Sequence, residues 1–255
     1  MLPRLLALGL IAMTATVQAD IRTDTLSYDI DGTEHRGYIA YDDSLEGPRP
    51  GVLVIHEWWG LNDYARHRAR DLAAMGYVAF AADMYGGGRT TEDPAEAGEW
   101  SKAAGPELRR LAGAGLEQLA GHDRVDTDRL AAIGFCFGGT SVLQLAYSGA
   151  ELDGVVSFHG NLPVPGDNDI INAAILVQHG AADPLVPTAD ADAWQQAMGD
   201  RSSVDWHFVA HGGAKHAFTN PAADDLGMDA VGYDAAAADR SWAHMQRFFD
   251  ELFAR

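Results

Sequence analysis

The chain has 255 residues, and 37 acidic side chains against 18 basic ones give it a formal net charge of −19. This balance argues against nucleic-acid binding, which requires basic patches that neutralise phosphates. An apolar fraction of 47% is enough for a large core, and a single cysteine excludes an internal disulfide framework. The acidity indicates a repulsive, soluble surface, and adaptation to a saline habitat is a further hypothesis for it.

Residues 1–19 are predicted to form a secretory signal peptide. Arg4 supplies a positive start, residues 5–17 are mostly apolar, and Val17-Gln18-Ala19 is similar to a cleavage site. We therefore expect cleavage after Ala19 and a periplasmic or secreted protein, with an uncleaved N-terminal anchor as the alternative. No later stretch is apolar for long enough to span a membrane, so we expect no membrane span after cleavage.

Residues 20–255 are predicted to form a single α/β domain. Alternation of apolar and polar residues over 25–30 and 35–41 predicts an antiparallel hairpin. Apolar runs predict buried parallel strands after it, and the segments between them have helical periodicity. In chain order, strands are expected at 52–55, 77–82, from 130 onward, 154–158, 174–178 and 204–209, and helices at 62–74, 94–103, 106–121, after 136, at 188–198 and 235–253. This order predicts a mainly parallel sheet with helices on both faces, whose ligands bind beyond the carboxyl ends of the strands.

The segment Gly134-Phe-Cys136-Phe-Gly138-Gly139 joins a predicted strand to a predicted helix. A sharp strand-to-helix turn with one reactive side chain between glycines is typical of the nucleophile elbow of α/β-hydrolases, here with Cys in place of Ser. Glycines are needed because strand and helix approach closely and the backbone of the nucleophile is strained. The alternative is a buried core cysteine, since free cysteine is among the most buried residue types.

Asp183 and His216 are the candidate acid and base. A cysteine nucleophile needs a base, and the base needs an orienting carboxylate. Both residues follow predicted strands, and the order nucleophile, acid, histidine is that of α/β-hydrolases. Taken singly, Asp183 is a turn residue before proline and His216 an ordinary hydrogen-bonding histidine. A metal pair of His211 and His216 lacks a third ligand at a metal-site spacing, so we expect no metal and no cofactor.

Four motifs together resemble the dienelactone hydrolase family: the Gly-x-Cys-x-Gly-Gly elbow, His-Glu-Trp-Trp-Gly from 56, His-Gly-x-x-Asp-x-x-Val-Pro from 179, and Gly-Gly-Ala-x-His-Ala-Phe from 212. The resemblance covers about residues 25 to 253. It implies an α/β-hydrolase fold, hydrolysis of a small ester or lactone, and a triad of Cys136, His216 and Asp183.

The resemblance also implies a role for Glu57. In the family this carboxylate turns toward the thiol, helps to keep it protonated at rest and takes part in its activation. The alternative for Glu57 is a solvated loop carboxylate. The oxyanion hole is expected from the backbone N–H groups of Phe137, after the nucleophile, and of Trp58, after the strand 52–55.

The substrate pocket is expected to be apolar. Dienelactone-cleaving members clamp the substrate carboxylate with two arginines, and this chain has Gly87 and Asn220 at those positions. Without that clamp, recognition of a carboxylate is weakened and the dienelactone itself is doubtful as substrate. Each candidate pocket residue could instead pack in the core: beside Trp58 and Phe137, the candidates are Trp59, Tyr85, Arg89, Phe158, His159 and Phe218.

Two other classes of function stay open. One is a binding protein on a hydrolase scaffold with an inactive site, against which the intact order of Cys136, Asp183 and His216 argues. The other is a thiol-based redox sensor, which would lack a resolving cysteine. The protein is expected to be a monomer or a small homo-oligomer.

Overall fold

The computed structural model describes residues 19–254, so the predicted signal peptide lies, except for Ala19, outside the described residues. Within this range one sheet has eight strands. The strands are β1 (Ile21–Ile30), β2 (Thr33–Asp42), β3 (Arg49–Ile55), β4 (Val78–Ala82), β5 (Val125–Phe135), β6 (Gly154–Phe158), β7 (Ala174–Gly180) and β8 (Trp206–His211). The helices are α1 (Asp63–Ala74), α2 (Pro94–Ala104), α3 (Leu108–Ala120), α4 (Phe137–Tyr147), α5 (Thr188–Gly199) and α6 (Ala235–Phe253).

The strands lie in the order β1-β2-β4-β3-β5-β6-β7-β8. β1 and β2 pair antiparallel across a turn at Asp31 and Gly32, whose φ angles are 52° and 82°. Positive φ at both central residues is the geometry of the tight hairpin turn that matches strand twist. β2 pairs antiparallel with β4, and the remaining neighbours are parallel. The predicted α/β-hydrolase fold, a mainly parallel sheet with an N-terminal antiparallel hairpin, is confirmed.

Both faces of the sheet are covered by helices, which explains why its central strands are uniformly apolar. In β3, Leu53 and Ile55 face a core built with α3, α4 and α5. Val52 and Val54 face a second core built with α1 and α6. The sheet is therefore the middle layer of three.

The bounds of several elements differ from those predicted, and three of these differences have a visible structural cause. β5 begins at Val125 rather than near Leu130 and pairs with the start of β3. A short 3₁₀ turn at Gly105–Glu107 precedes α3, so this helix begins at Leu108. β8 lies two residues later than predicted, because the Val204 N–H closes a turn onto the Arg201 carbonyl instead of joining the sheet.

The parallel strands end at one edge of the sheet, and the candidate catalytic side chains follow those ends. The strands β3, β5, β7 and β8 are followed in turn by Glu57, Cys136, Asp183 and His216.

No helix within 19–254 is both long and apolar enough to cross a membrane.

Candidate active site

The elbow at Cys136 is closed by glycines that no other residue could replace. Cys136 stands between β5 and α4 with φ 54° and ψ −116°, a conformation that costs a non-glycine residue about 1–3 kcal/mol. A Cβ on Gly134 would lie 2.0 Å from the Gly138 carbonyl oxygen, and one on Gly138 would lie 2.1 Å from that of Ile55. Strand and helix therefore meet backbone to backbone, and the cysteine side chain is held at the strand end.

Asp183 and His216 form a buried hydrogen-bonded pair beside Cys136. The His216 Nδ1 lies 2.7 Å from the Asp183 Oδ2, with 6% of the histidine side chain and none of the aspartate side chain exposed. The other oxygen of Asp183 accepts the backbone N–H groups of Leu185 at 2.8 Å and Val186 at 3.2 Å. His216 and Cys136 lie on the wall of one cavity and interact electrostatically. The carboxylate is thus fixed by its own loop, and Nδ1 is the protonated nitrogen that it holds.

The pKa of His216 is raised to about 10. Burial by itself lowers it, but the charge of an ionised Cys136 sulfur and the hydrogen bond with Asp183 outweigh burial. An opposite charge close to a base favours its ionised form. These interactions therefore favour the protonated form of His216.

Glu57 is buried, with 2% of its surface exposed, so it is not a solvated loop carboxylate. Its Oε2 accepts a hydrogen bond of 2.7 Å from the Asn220 side-chain amide. Burial raises the pKa of Glu57 to about 7, and the Asn220 hydrogen bond and the positive charges of His216 and Arg68 oppose this only in part. The sequence marked Asn220 as the place of a missing arginine, four residues after His216, but not as the partner of Glu57.

Phe137 and Trp58 line the same cavity as Cys136. Phe137 is the first residue of α4, where backbone N–H groups have no acceptor within the helix. Among residues 19–254, neither of these two N–H groups donates to another residue. The Tyr85 hydroxyl donates to the Trp58 carbonyl at 3.1 Å and so fixes that loop from behind.

A cavity of about 490 Å³ opens above the elbow. Glu57, Cys136 and His216 lie on its wall beside Trp59, which the sequence predicted there. The remaining wall is mostly apolar and comes from the ends of α2 and α3 and from loops whose sequence carries no periodic pattern. Its apolar members include Leu108, Leu185, Leu226, Met228 and Val231.

Five residues predicted for the pocket do not line this cavity. Phe158 is fully buried and stacks on Phe135 at 4.9 Å in the core beneath α1 and α6. Phe218 is buried in a small cluster with Ala214 and Ala237. The prediction failed for both because the sequence places an aromatic residue near a strand end without fixing the side of the sheet that it faces.

The other three lie around the site without entering the cavity. The Tyr85 ring packs behind Phe137, with ring centroids 5.4 Å apart. Arg89 bonds the Tyr85 carbonyl and lies 4.8 Å over the Trp100 ring. His159 is buried, and its Nδ1 lies 3.2 Å from the backbone nitrogen of Cys136.

His211 and His216 do not form a metal pair. The His211 Nε2 lies 2.7 Å from the Gln178 Oε1, whereas His216 is bonded to Asp183. Across the described part of the chain, no three His, Cys, Asp or Glu side chains are arranged to hold a metal.

The model of the family described as "Dienelactone hydrolase family" matches residues 35–253. The chain belongs to the dienelactone hydrolase family. As a member of this family it is a hydrolase.

Solved structures and curated relatives agree with this membership. A structure named m3DLH is 42% identical, covering 91% of this chain and 98% of that one, with a TM-score of 0.87. The dienelactone hydrolase-like promiscuous phosphotriesterase P91, from metagenomic libraries, is 40% identical with the same coverage and TM-score. A protein of Saccharolobus solfataricus, provisionally named carboxymethylenebutenolidase, is 27% identical over 87% of this chain and 95% of its own.

Gly87 and Asn220, where the sequence predicts that a carboxylate clamp is missing, differ in their surroundings. Gly87 has φ 68° in a loop of three glycines, donates its N–H to the Glu34 carbonyl at 2.7 Å and does not line the cavity. Asn220 is buried beside Glu57. Only the second of these positions therefore contacts a residue of the cavity wall.

Proposed function

We propose that this member of the dienelactone hydrolase family hydrolyses small carboxylic esters or lactones, with Cys136 as nucleophile, His216 as base and Asp183 as the carboxylate that orients it. The observation that carries the proposal is the buried hydrogen bond between Asp183 and His216, with His216 and Cys136 together on the wall of a mostly apolar cavity. Nucleophile, base and orienting group in contact are the signature of covalent catalysis.

In the acylation step the sulfur of Cys136 attacks the substrate carbonyl carbon. A carbon–sulfur bond forms, and the carbonyl electrons move to oxygen. The backbone N–H groups of Phe137 and Trp58 are proposed to bind that oxyanion. When the tetrahedral intermediate collapses, the bond to the alcohol oxygen breaks and His216 gives its proton to the leaving group.

Deacylation requires His216 to act as a base, and the electrostatics of the site supports this change of role. The charge on the sulfur is the largest influence that raises the pKa of His216. Once the sulfur is part of a neutral thioester, that influence is gone and the pKa falls. Neutral His216 then takes a proton from water as the water oxygen attacks the thioester carbon. When the tetrahedral intermediate collapses, the carbon–sulfur bond breaks, the acid is released, and the Cys136 thiolate is restored beside protonated His216.

Glu57 is proposed to modulate this cycle through its charge. A carboxylate with a pKa of about 7 changes ionisation near neutral pH, next to His216 and on the wall of the same cavity. Its ionised form stabilises the imidazolium, and its protonated form does not. The family resemblance implies such a role in thiol activation, and in this chain Glu57 interacts with Asn220 and His216.

The substrate is proposed to be an uncharged ester or lactone with a small or aromatic acyl group. Trp59, Leu185 and Met228 give the cavity apolar walls, and an apolar wall binds by excluding water rather than by pairing charge. Asn220 is occupied by Glu57, and an amide cannot form the bidentate pair that an arginine forms with a carboxylate.

Active-site variants test the proposal directly. We expect wild-type protein to hydrolyse p-nitrophenyl acetate and Cys136→Ala to lose all but a few per cent of that rate while its circular dichroism is unchanged. Initial rates on lactones and short esters, with and without a carboxylate, then define the substrate. Turnover by Cys136→Ala would overturn the assignment of the nucleophile. Absence of turnover by wild type on the whole panel would favour a binding protein, or, if Cys136 is rapidly oxidised by peroxide, a redox sensor.

A second candidate activity is the hydrolysis of neutral phosphate triesters. It is favoured by the 40% identity to a protein described as a promiscuous phosphotriesterase and by the apolar walls of this cavity. Such a triester presents a polarised centre and a good leaving group to the same nucleophile. Release of p-nitrophenol from paraoxon that disappears in Cys136→Ala would support this activity, and release that persists would contradict it.

Residues 1–19 keep their proposed role as an export signal. N-terminal sequencing of the protein secreted or delivered to the periplasm should begin at Asp20. Recovery of full-length protein from the cytoplasm alone would contradict this proposal.

A further inference from the structure

His159 contacts both the backbone of Cys136 and the ring of His216, and the proposed catalytic cycle gives it no role. It follows β6 and is 1% exposed. Its φ is 41°, a backbone angle that residues other than glycine rarely adopt. Its ring lies edge-on to the ring of His216, with centroids 5.3 Å apart. Strain of this kind persists only where the surroundings hold the residue in place.

The two nitrogens of His159 have different partners, and together they fix its tautomer. Its Nδ1 lies 3.2 Å from the backbone nitrogen of Cys136, whose N–H also reaches the Phe158 carbonyl at 3.0 Å. Because the backbone N–H is a donor, Nδ1 must be the unprotonated acceptor. The proton is therefore on Nε2, which donates to the Thr219 hydroxyl oxygen at 2.7 Å. That hydroxyl in turn shares a hydrogen bond of 2.8 Å with the Tyr64 hydroxyl.

We propose that His159 is a positioning residue: in its neutral form, protonated on Nε2, it holds the backbone amide of Cys136 and is itself held by Thr219. This inference rests on the proposed function of Cys136. The peptide that His159 holds belongs to the strained residue from which the sulfur projects, and the next amide, that of Phe137, is the proposed oxyanion donor. A shift at this point would displace both groups, and a misplacement of about 1 Å at a reacting group can cost about 100-fold in rate.

The charges around His159 keep it neutral. Two cationic groups face it, His216 from the loop after β8 and Arg68 from α1. Burial first, and then the charge of His216 and to a smaller extent that of Arg68, holds the pKa of His159 well below its usual range. A protonated His159 would present an N–H to the N–H of Cys136, so neutrality is a requirement of the contact.

The test compares His159→Phe with His35→Phe. Both replace a buried histidine, and His35 bonds only a backbone carbonyl far along the chain from the elbow, that of Asp83. Titration of Cys136 with iodoacetamide gives the concentration of active sites, to which all rates are normalised. We expect His159→Phe to lower kcat about 10- to 100-fold relative to wild type and to change KM by no more than about 2-fold. His35→Phe should change stability alone. A kcat for His159→Phe equal to that of wild type would overturn the proposal.

A double-variant cycle tests the link to Thr219. Thr219→Val removes the acceptor that selects the tautomer, so it should lower kcat by a smaller factor and add nothing in the His159→Phe background. Additive effects of the two substitutions would contradict the arrangement.

Two measurements, one on wild type and one on His159→Gln, depend neither on turnover nor on whether His159→Phe folds. The ¹⁵N shifts of His159 should report the Nε2–H tautomer from about pH 6 to pH 9, and a proton on Nδ1 or titration in this range would overturn the proposal. The rate of Cys136 alkylation should fall in His159→Gln. If wild type shows no Cys136-dependent hydrolysis, the proposed function fails, while the tautomer still decides the role of His159.

Discussion

The side-chain amide of Asn220 donates a hydrogen bond of 2.7 Å to the buried carboxylate of Glu57. An amide is a neutral partner, so it does not compensate the cost of burying a charge as a guanidinium would. The result is a carboxylate whose pKa is raised by burial to about 7. Near neutral pH the protein therefore exists in two protonation states that differ at the wall of the active-site cavity.

Glu57→Gln should stabilise the protein at high pH and leave it unchanged at low pH. Because the pKa of Glu57 is raised, the folded state holds the Glu57 proton more tightly than the unfolded state does. The stability that this proton contributes is fully present below pH 4.5 and is lost as pH rises through about 7. Above that range, the ionised Glu57 lowers the free energy of unfolding by at most about 3 kcal/mol. We expect the Tm of Glu57→Gln to exceed that of wild type at about pH 8 and to match it at about pH 4.5. A difference independent of pH would contradict the assignment.

Asn220→Ala should raise the pKa of Glu57 further. The Asn220 hydrogen bond is the largest of the influences that lower that pKa, and its removal leaves burial less opposed. The Tm difference between wild type and the Glu57→Gln variant levels off at the folded-state midpoint of Glu57, and in the Asn220→Ala background this pH should move upward. In contrast, Asn220→Arg should move it downward. A midpoint that does not respond to either substitution would show that Asn220 is not the controlling partner.

The sequence predicts the placement of Cys136, Asp183 and His216 better than the residues of the cavity wall, and the physical reason lies in how each is specified. Cys136, Asp183 and His216 follow strand ends, and parallel strands bring their carboxyl ends to one edge whatever the loop conformations. Phe158 and Phe218 also lie near strand ends, but which side of the sheet they face depends on register and loop path. Residues such as Met228 belong to a loop with no periodic pattern.

The partnership of Glu57 and Asn220 shows a second limit. The two residues are 163 positions apart, and neither hydrophobic periodicity nor a local motif links them. Asn220 was recognisable as a departure from a family pattern, which indicates what is missing but not what the new side chain binds. Only the packing of the loop after β8 against the loop after β3 brings them together.

Cys136→Ser should lower the pKa of His216 substantially from about 10. The charge on the Cys136 sulfur is the largest influence that raises it, and a serine hydroxyl is uncharged at these pH values. The Asp183 hydrogen bond remains, so this pKa should stay above that expected from burial alone. NMR titration of His216 in both proteins measures the change. An unchanged midpoint would mean that the imidazolium is not paired with a thiolate.

Asp183→Asn should lower kcat by about 10³- to 10⁴-fold with little change in KM. The asparagine oxygen can still accept the N–H groups of Leu185 and Val186, which keeps the loop in place. Its NH₂ group then faces the His216 Nδ1 and requires that nitrogen to be unprotonated, which puts the proton on Nε2 and removes the base. The exposed Asp190→Asn on α5 is the matched control and should retain full activity. A loss of less than about 10-fold for Asp183→Asn would show that Asp183 does not set the tautomer.

Gly138→Ala should destabilise the protein by about 3 kcal/mol or more, the upper end of overpacking effects, because the contact is with backbone that cannot move aside. The added methyl would lie 2.1 Å from the carbonyl oxygen of Ile55, so β3 and the start of α4 would have to separate. Gly113→Ala, in the middle of α3 with open space around the new methyl, is the control and should gain about 0.5–1 kcal/mol from helix propensity. Urea unfolding of both variants gives the two free energies. If Gly138→Ala were as stable as Gly113→Ala, the close backbone contact at the elbow would be absent in solution.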